Sequence, residues 1–252
     1  MFKINTLCVF WTLLAIILNF NLLAQVNKKI NTKGTLINLH YGIQWSGGDL
    51  GDRFGRSFNV GTDILYMTKS KWLFGGTYQF IFGGEIKEDV LANLRTTEGQ
   101  IIGQNNDFAV VSANQRGYFI GGTVGKLFPL FKDDERHFIK LTITGGFLRH
   151  RIRLDDQAGA VPQLAGEYIK GYDRLTSGIA LGEFLGYQYL SSNRLVNIYA
   201  GFDFMQGFTE SRRSFNYDTM EAETGNRLDV LAGFRVGWIL PLYNQDADTI
   251  YY

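Results

Sequence analysis

The sequence predicts an all-β protein folded as a single eight-stranded antiparallel transmembrane β-barrel. Eight stretches alternate apolar and polar residues with a period of two, the spacing that puts successive side chains on opposite faces of a strand. In each, one face stays apolar for most of its length, as a wall facing lipid requires. The connections alternate between short and long, the pattern of barrels with tight turns at one membrane face and longer loops at the other.

The last stretch shows the division most clearly. Across residues 227–243, Leu228, Val230, Ala232, Phe234, Val236, Trp238, Leu240 and Leu242 share one face, while Arg227, Asp229, Gly233, Arg235 and Gly237 fall on the other. The first stretch, 35–45, sets Ile37, Leu39, Tyr41, Ile43 and Trp45 against Asn38, His40, Gly42 and Gln44. In 58–68, Phe58, Val60, Ile64 and Tyr66 oppose Asn59, Gly61 and Asp63. Stretches 72–82 and 118–128 present Trp72, Phe74, Tyr78 and Phe80, then Tyr118, Ile120, Val124 and Phe128. In 138–149, Ile139, Leu141, Ile143 and Phe147 oppose Lys140, Thr142 and Thr144. Stretches 175–189 and 195–208 complete the set. Connections 69–71, 129–137 and 191–194 are short, whereas 83–117, 150–174 and 209–226 are long. An even strand number returns both ends of the barrel to the short-turn side.

Alternation alone does not say which face points outward. A lipocalin-like soluble barrel would hold its apolar residues inside, around a ligand. Here Asp63, Lys140, Asp203, Asp229 and Arg235 share the glycine-rich face, and glycine suits the crowded interior of a narrow barrel. The apolar face is therefore expected to meet lipid. Trp72, Tyr189, Trp238 and Tyr243 toward the turns, and Trp45, Phe82 and Tyr118 toward the loops, would form the two aromatic girdles at the membrane interfaces.

The chain begins with Lys3 and an apolar run that ends at Ala24, the layout of an export signal. Three parts are expected: a signal peptide over 1–24, a barrel over 25–243 and a periplasmic tail over 244–252. The only cysteine, Cys8, lies inside the signal and would be lost with it, which excludes disulfides, thiolate nucleophiles and cysteine metal sites from the mature protein. With 25 basic and 24 acidic residues, no overall field favours nucleic acid. No cofactor or metal is expected.

Three groups of residues are candidates for function. His40, Asp63, Lys140, Asp203, Asp229 and Arg235 point into the lumen, where an eight-stranded barrel has room for packed side chains and not for an open pore. They are expected to form a paired polar network. Arg149, Arg151, Arg153 and Arg212 lie at the loop ends of their strands and suit the phosphates of outer-membrane lipids. Glu183 shares its parity with Ile179, Leu181, Leu185 and Tyr187, so it puts a carboxyl group on the lipid face near mid-strand. Together with the small outward residues Gly122, Gly145, Ala200 and Ala232, it suggests a face for a protein partner in the membrane. An enzymatic alternative, a lipid hydrolase or acyltransferase at the outer rim, would draw on His150, Ser177 and Asp173, whose spacing forces no such arrangement. In the long loop 85–106, Asp89 to Leu94 suggest a short helix that caps the barrel or packs on the loop itself.

The strand count and loop asymmetry over 35–243 resemble the small eight-stranded outer-membrane barrels of the OmpX-like and OmpA-transmembrane class. The stretches Lys170-Gly171-Tyr172-Asp173-Arg174-Leu175 and Gly237-Trp238-Ile239-Leu240-Pro241-Leu242-Tyr243 look like those of small barrels from bacteria that use type IX secretion, and more loosely resemble its PorG-type barrel. That resemblance implies an outer-membrane protein with no catalysis and a protein partner in the membrane or periplasm, an accessory subunit of an envelope or secretion complex. Fold resemblance does not transfer function.

Overall fold

A computed structural model of the protein describes residues 33–132, 134, 136–191 and 196–243; the expected signal peptide and C-terminal tail lie outside them. The chain forms β1 (Gly34–Gly48), β2 (Arg56–Met67), β3 (Trp72–Gly83), a loop hairpin of β4 (Ile101–Ile102) and β5 (Phe108–Ala109), then β6 (Val111–Pro129), β7 (His137–Asp156), β8 (Thr176–Leu190), β9 (Asn197–Ser211) and β10 (Asn226–Tyr243). The other eight strands pair antiparallel in the order β1-β2-β3-β6-β7-β8-β9-β10, and β10 pairs with β1 to close the barrel.

The ring closes with a stagger. Following register partners from Gly34 through Met67, Leu73, Gly125, Thr142, Phe184, Asp203 and Gly233 leads back to β1 at Gln44. Such an offset tilts the strands and sets the barrel's width. Every residue on that path points inward, so the period-two pattern survives the closure.

The burial pattern assigns the faces as expected. On β1, Asn38, His40, Gly42 and Gln44 are buried while Leu39, Tyr41 and Trp45 are exposed. On β10, Asp229, Gly233 and Arg235 are buried while Phe234, Val236, Trp238 and Leu240 are exposed. A continuous exposed apolar wall of this extent is stable in lipid and not in water. No helix among the described residues is long and apolar enough to cross a membrane. Trp45, Trp72 and Trp238 stand on the outer wall near its ends, as the girdle reading expects. Tyr243 departs from it, because it continues the inward parity of Ile239 and packs against the lower core.

Inside, two apolar clusters fill the barrel. The lower one gathers Leu36, Leu65, Met67, Leu73, Leu127, Phe138, Phe184, Leu190, Tyr199 and Ile239 near the turn end. The upper one includes Ile81, Phe119, Leu148, Ile152, Met205 and Leu231, together with Leu50, Phe54, Val90, Leu91 and Leu164 from the outer loops. Loop residues thus complete the core at the mouth.

Strands β6 and β7 run well past the limits that the alternation marks, upward through residues 111–117 and 150–156. The outward positions there include Asn114, Arg116, Arg151 and Arg153, because that part of the hairpin rises out of the acyl layer into the headgroups and beyond. Without acyl chains to face, the outward side needs no apolar residue, and the sequence signal fades while the backbone pairing continues. The helix α1 (Asp49–Arg53) is likewise unannounced by the sequence. It follows Gly48, whose φ of 58° favours glycine, and sends Leu50 and Phe54 down into the barrel. The expected helix near Asp89 is a single 3-10 turn at Ala92–Leu94.

Candidate functional site

The candidate lumen residues divide between two levels. Arg235 from β10 donates through Nη2 to Asp203 Oδ1 on β9 at 2.5 Å, and Gln44 Nε2 on β1 reaches the other carboxylate oxygen at 3.0 Å. Asp63 on β2 accepts from Thr77 at 2.9 Å, and Asn38 and the Tyr199 hydroxyl approach it at 3.4 Å. His40 Nδ1 lies 3.8 Å from the same carboxylate. A row of hydroxyls, Thr77 to Thr123 at 2.9 Å and Thr123 to Thr144 at 2.8 Å, extends the network around the wall.

Lys140 completes this level through π faces. Its Nζ lies 4.1 Å from the Tyr199 ring centroid and 5.6 Å from that of Phe184, while Arg235 lies 5.5 Å from Phe184. Two cations thus flank one aromatic ring, and two carboxylates balance them. Buried charges need such pairing, and cation–π contacts strengthen where water is excluded. Asp229 stands apart from the other five residues. Higher in the barrel it accepts from Thr209 at 2.5 Å and pairs with His150 Nε2 at 2.8 Å, beneath the edge-on ring of Phe54. The separation follows from register: Asp229 and Arg235 are six positions apart on one strand, more than a single layer of side chains.

Ion pairs hold the mouth closed above them. Arg53 from α1 bonds Thr176 at 3.0 Å and pairs with Glu88 at 3.0 Å and with Glu223. Arg174 pairs with Glu88 at 2.7 Å and with Asp218, and Arg227 bonds Glu223 at 2.7 Å. Burial pushes the Glu223 carboxyl up, but the guanidinium groups of Arg53 and Arg227 outweigh it and hold the group below its usual range. The folded value lies below the unfolded one, so the stabilisation is present above the unfolded value of about 4.3 and is lost as pH falls through the folded one. The protection of the amides in 216–223 against hydrogen exchange, relative to the intrinsic rate at each pH, is therefore expected to fall below about pH 4 while strand amides stay protected. Equal protection of the cap down to about pH 3 would show that other contacts hold it.

The three residues of the enzymatic alternative do not meet. His150 points inward and is taken by Asp229. Asp173 is clasped by Arg213 at 2.7 and 2.5 Å, and the Ser177 hydroxyl accepts from Arg212 at 2.8 Å.

On the lipid face, Glu183 is the middle residue of β8 and is exposed, with Ile143 and Phe204 as its register partners. Gly122 and Gly145 pair directly with each other, and Gly76 on β3 extends them into a row of three that ends against Leu181. A Cβ added at Gly122 or Gly145 would meet nothing within 4 Å, so no internal contact requires glycine there. The other two small residues do not join this face. Phe204 stands between Glu183 and Ala232, and Ala200 sits beside Tyr187 toward the lower rim.

At the outer rim, Arg153 pairs with Asp155 at 3.0 Å and Arg212 with Glu210 at 2.6 Å, while Arg149 and Arg151 remain exposed on the wall. Arg116 stands beside them as the register partner of Arg151. The alternation hid it, because its segment reads as loop.

The closed ring, filled lumen and apolar wall define the class of small eight-stranded outer-membrane β-barrels. Neisserial surface protein A is similar in structure at 14% identity and a TM-score of 0.44, over 81% of this chain and 96% of that one. Ail, the attachment invasion locus protein of Yersinia pestis, is similar at 10% identity and a TM-score of 0.37, over 82% and 98%. The outer-membrane protein OprG from Pseudomonas aeruginosa is similar at 12% identity and a TM-score of 0.39, over 82% and 96%. No protein-family model matches the chain, and no curated protein does.

Proposed function

We propose that this chain is a non-catalytic interaction barrel of the outer membrane, delivered by the leader at 1–24, which docks a membrane-embedded segment of another protein on its wall at Glu183. Glu183 carries the reading. A carboxyl group at mid-wall has no water to bond, and among the described residues no hydrogen bond or ion pair satisfies it. Intramembrane ionisable residues are costly and mark functional sites. The flat strip at Gly76, Gly122 and Gly145 lets a neighbouring segment approach the backbone closely, as small residues do at packed membrane interfaces. Such a role suits an accessory subunit of an envelope or secretion complex.

A photo-crosslinking side chain at position 183 is expected to give a discrete protein adduct in native membranes, and one at Val236, on the apolar wall of β10, is expected to label lipid. Capture of lipid alone at both positions would sink the docking reading.

A further inference from the structure

One cluster of the wall plays no part in that docking face. Arg116 on β6 and Arg151 on β7 are direct register partners, so their side chains leave the wall side by side on the outward face. Arg149 lies one outward position below Arg151, between Tyr118 and Ser177. Like charges directly opposite one another across a strand pair destabilise it. The other arginines of this rim are neutralised by neighbours: Arg153 by Asp155, Arg212 by Glu210 and Arg213 by Asp173. These three have no close carboxylate of their own. The nearest carboxylate oxygen to Arg151 is Asp173 Oδ2 at 3.9 Å, and Arg213 already holds that group. Among the described residues, Arg116 donates only to the Gln115 carbonyl at 2.8 Å. Among the described residues, Arg149 has no carboxylate within 4.0 Å.

The three arginines line a cavity of about 240 Å³ whose apolar side is Phe80, Tyr118 and Leu175. Below it the wall continues through the exposed Ile120 and Phe147. Cationic groups therefore crown an aromatic belt at the height where the outer leaflet changes from headgroup to acyl chain. Guanidinium groups bind phosphate oxygens through paired, charge-assisted hydrogen bonds.

We propose that Arg116, Arg149 and Arg151 bind a phosphate group of an outer-leaflet lipid whose acyl chains lie along Phe80, Ile120 and Phe147. The anion offsets the repulsion between the paired guanidiniums, and the apolar wall holds the chains. The site requires no protein docked at Glu183, so either reading can fail without the other.

The test uses the full-length protein folded in detergent. It is titrated with diphosphorylated lipid A, with the same lipid A stripped of its phosphates, and with inorganic pyrophosphate, and bound species are read by native mass spectrometry. The phosphorylated lipid is expected to bind roughly 10-fold or more tightly than the stripped one. The R116Q/R149Q/R151Q variant is expected to remove that difference, and the R153Q/R212Q variant to retain it. Equal binding of the two lipids, or undiminished preference in the triple variant, overturns the proposal. Pyrophosphate binding as strong as the lipid's overturns the lipid as its source. Heat-dependent gel mobility reports whether each variant is folded. If the triple variant does not fold, R149Q alone is used, with an expected loss of roughly 3-fold, and an unchanged affinity there overturns the site.

Discussion

Arg235→Ala is expected to cost the barrel about 3–5 kcal/mol, the loss typical of removing one partner from a buried ion pair. The size follows from what the guanidinium leaves behind. Arg235 and Lys140 balance Asp203 and Asp63 in the middle of the lumen, between two apolar clusters that keep water away. Without Arg235, Asp203 keeps, among the described residues, the hydrogen bond from Gln44 at 3.0 Å, and its charge stays buried. Removing both members tests the cause. Arg235→Met combined with Asp203→Leu deletes the charges together and fills their volume, and buried pairs replaced in this way are often neutral in stability. Guanidinium unfolding of the detergent-folded protein, followed by tryptophan fluorescence, is expected to show a large loss for the single variant and near-recovery for the double. A single variant within about 1 kcal/mol of the parent would mean that Arg235 is not what neutralises Asp203.

Glycine substitutions are expected to divide by face. A Cβ on Gly237 would overlap the Tyr199 ring and come within 2.8 Å of the Leu39 carbonyl oxygen. That ring has no freedom to move: Phe184 meets it edge-on at 5.4 Å and Lys140 sits over its face at 4.1 Å. Gly237→Ala therefore forces backbone displacement and is expected to cost about 1–3 kcal/mol, the usual range for overpacking. Gly122→Ala and Gly145→Ala add a methyl group to open space and are expected to change stability by less than about 0.5 kcal/mol. The same unfolding measurement separates the two classes. A Gly237→Ala barrel as stable as the parent, or a large loss at Gly122, would contradict the assignment of faces at those positions.

Much of this architecture is legible in the alternation because lipid imposes it. Wherever a strand crosses the bilayer, every second residue must be apolar, and Leu228 to Leu242 or Ile37 to Trp45 state the face and the span without reference to the rest of the chain. The same rule exposes Glu183 as an exception. It falls silent where the constraint ends. Arg116 and the upper parts of β6 and β7 continue as strands beyond the acyl layer, where headgroups and water accept polar side chains and no pattern remains to read.

The sequence by itself therefore determined the strands, their inward and outward faces, the charged lumen and the carboxyl group at mid-wall, since each follows from a residue's parity along its own strand. Only the tertiary structure decided which residues meet. Register set Asp229 with His150 and not with Arg235, left Phe204 between Glu183 and Ala232, and brought Arg116 beside Arg151. Parity is local, whereas height around a tilted barrel depends on the stagger accumulated over all eight strands.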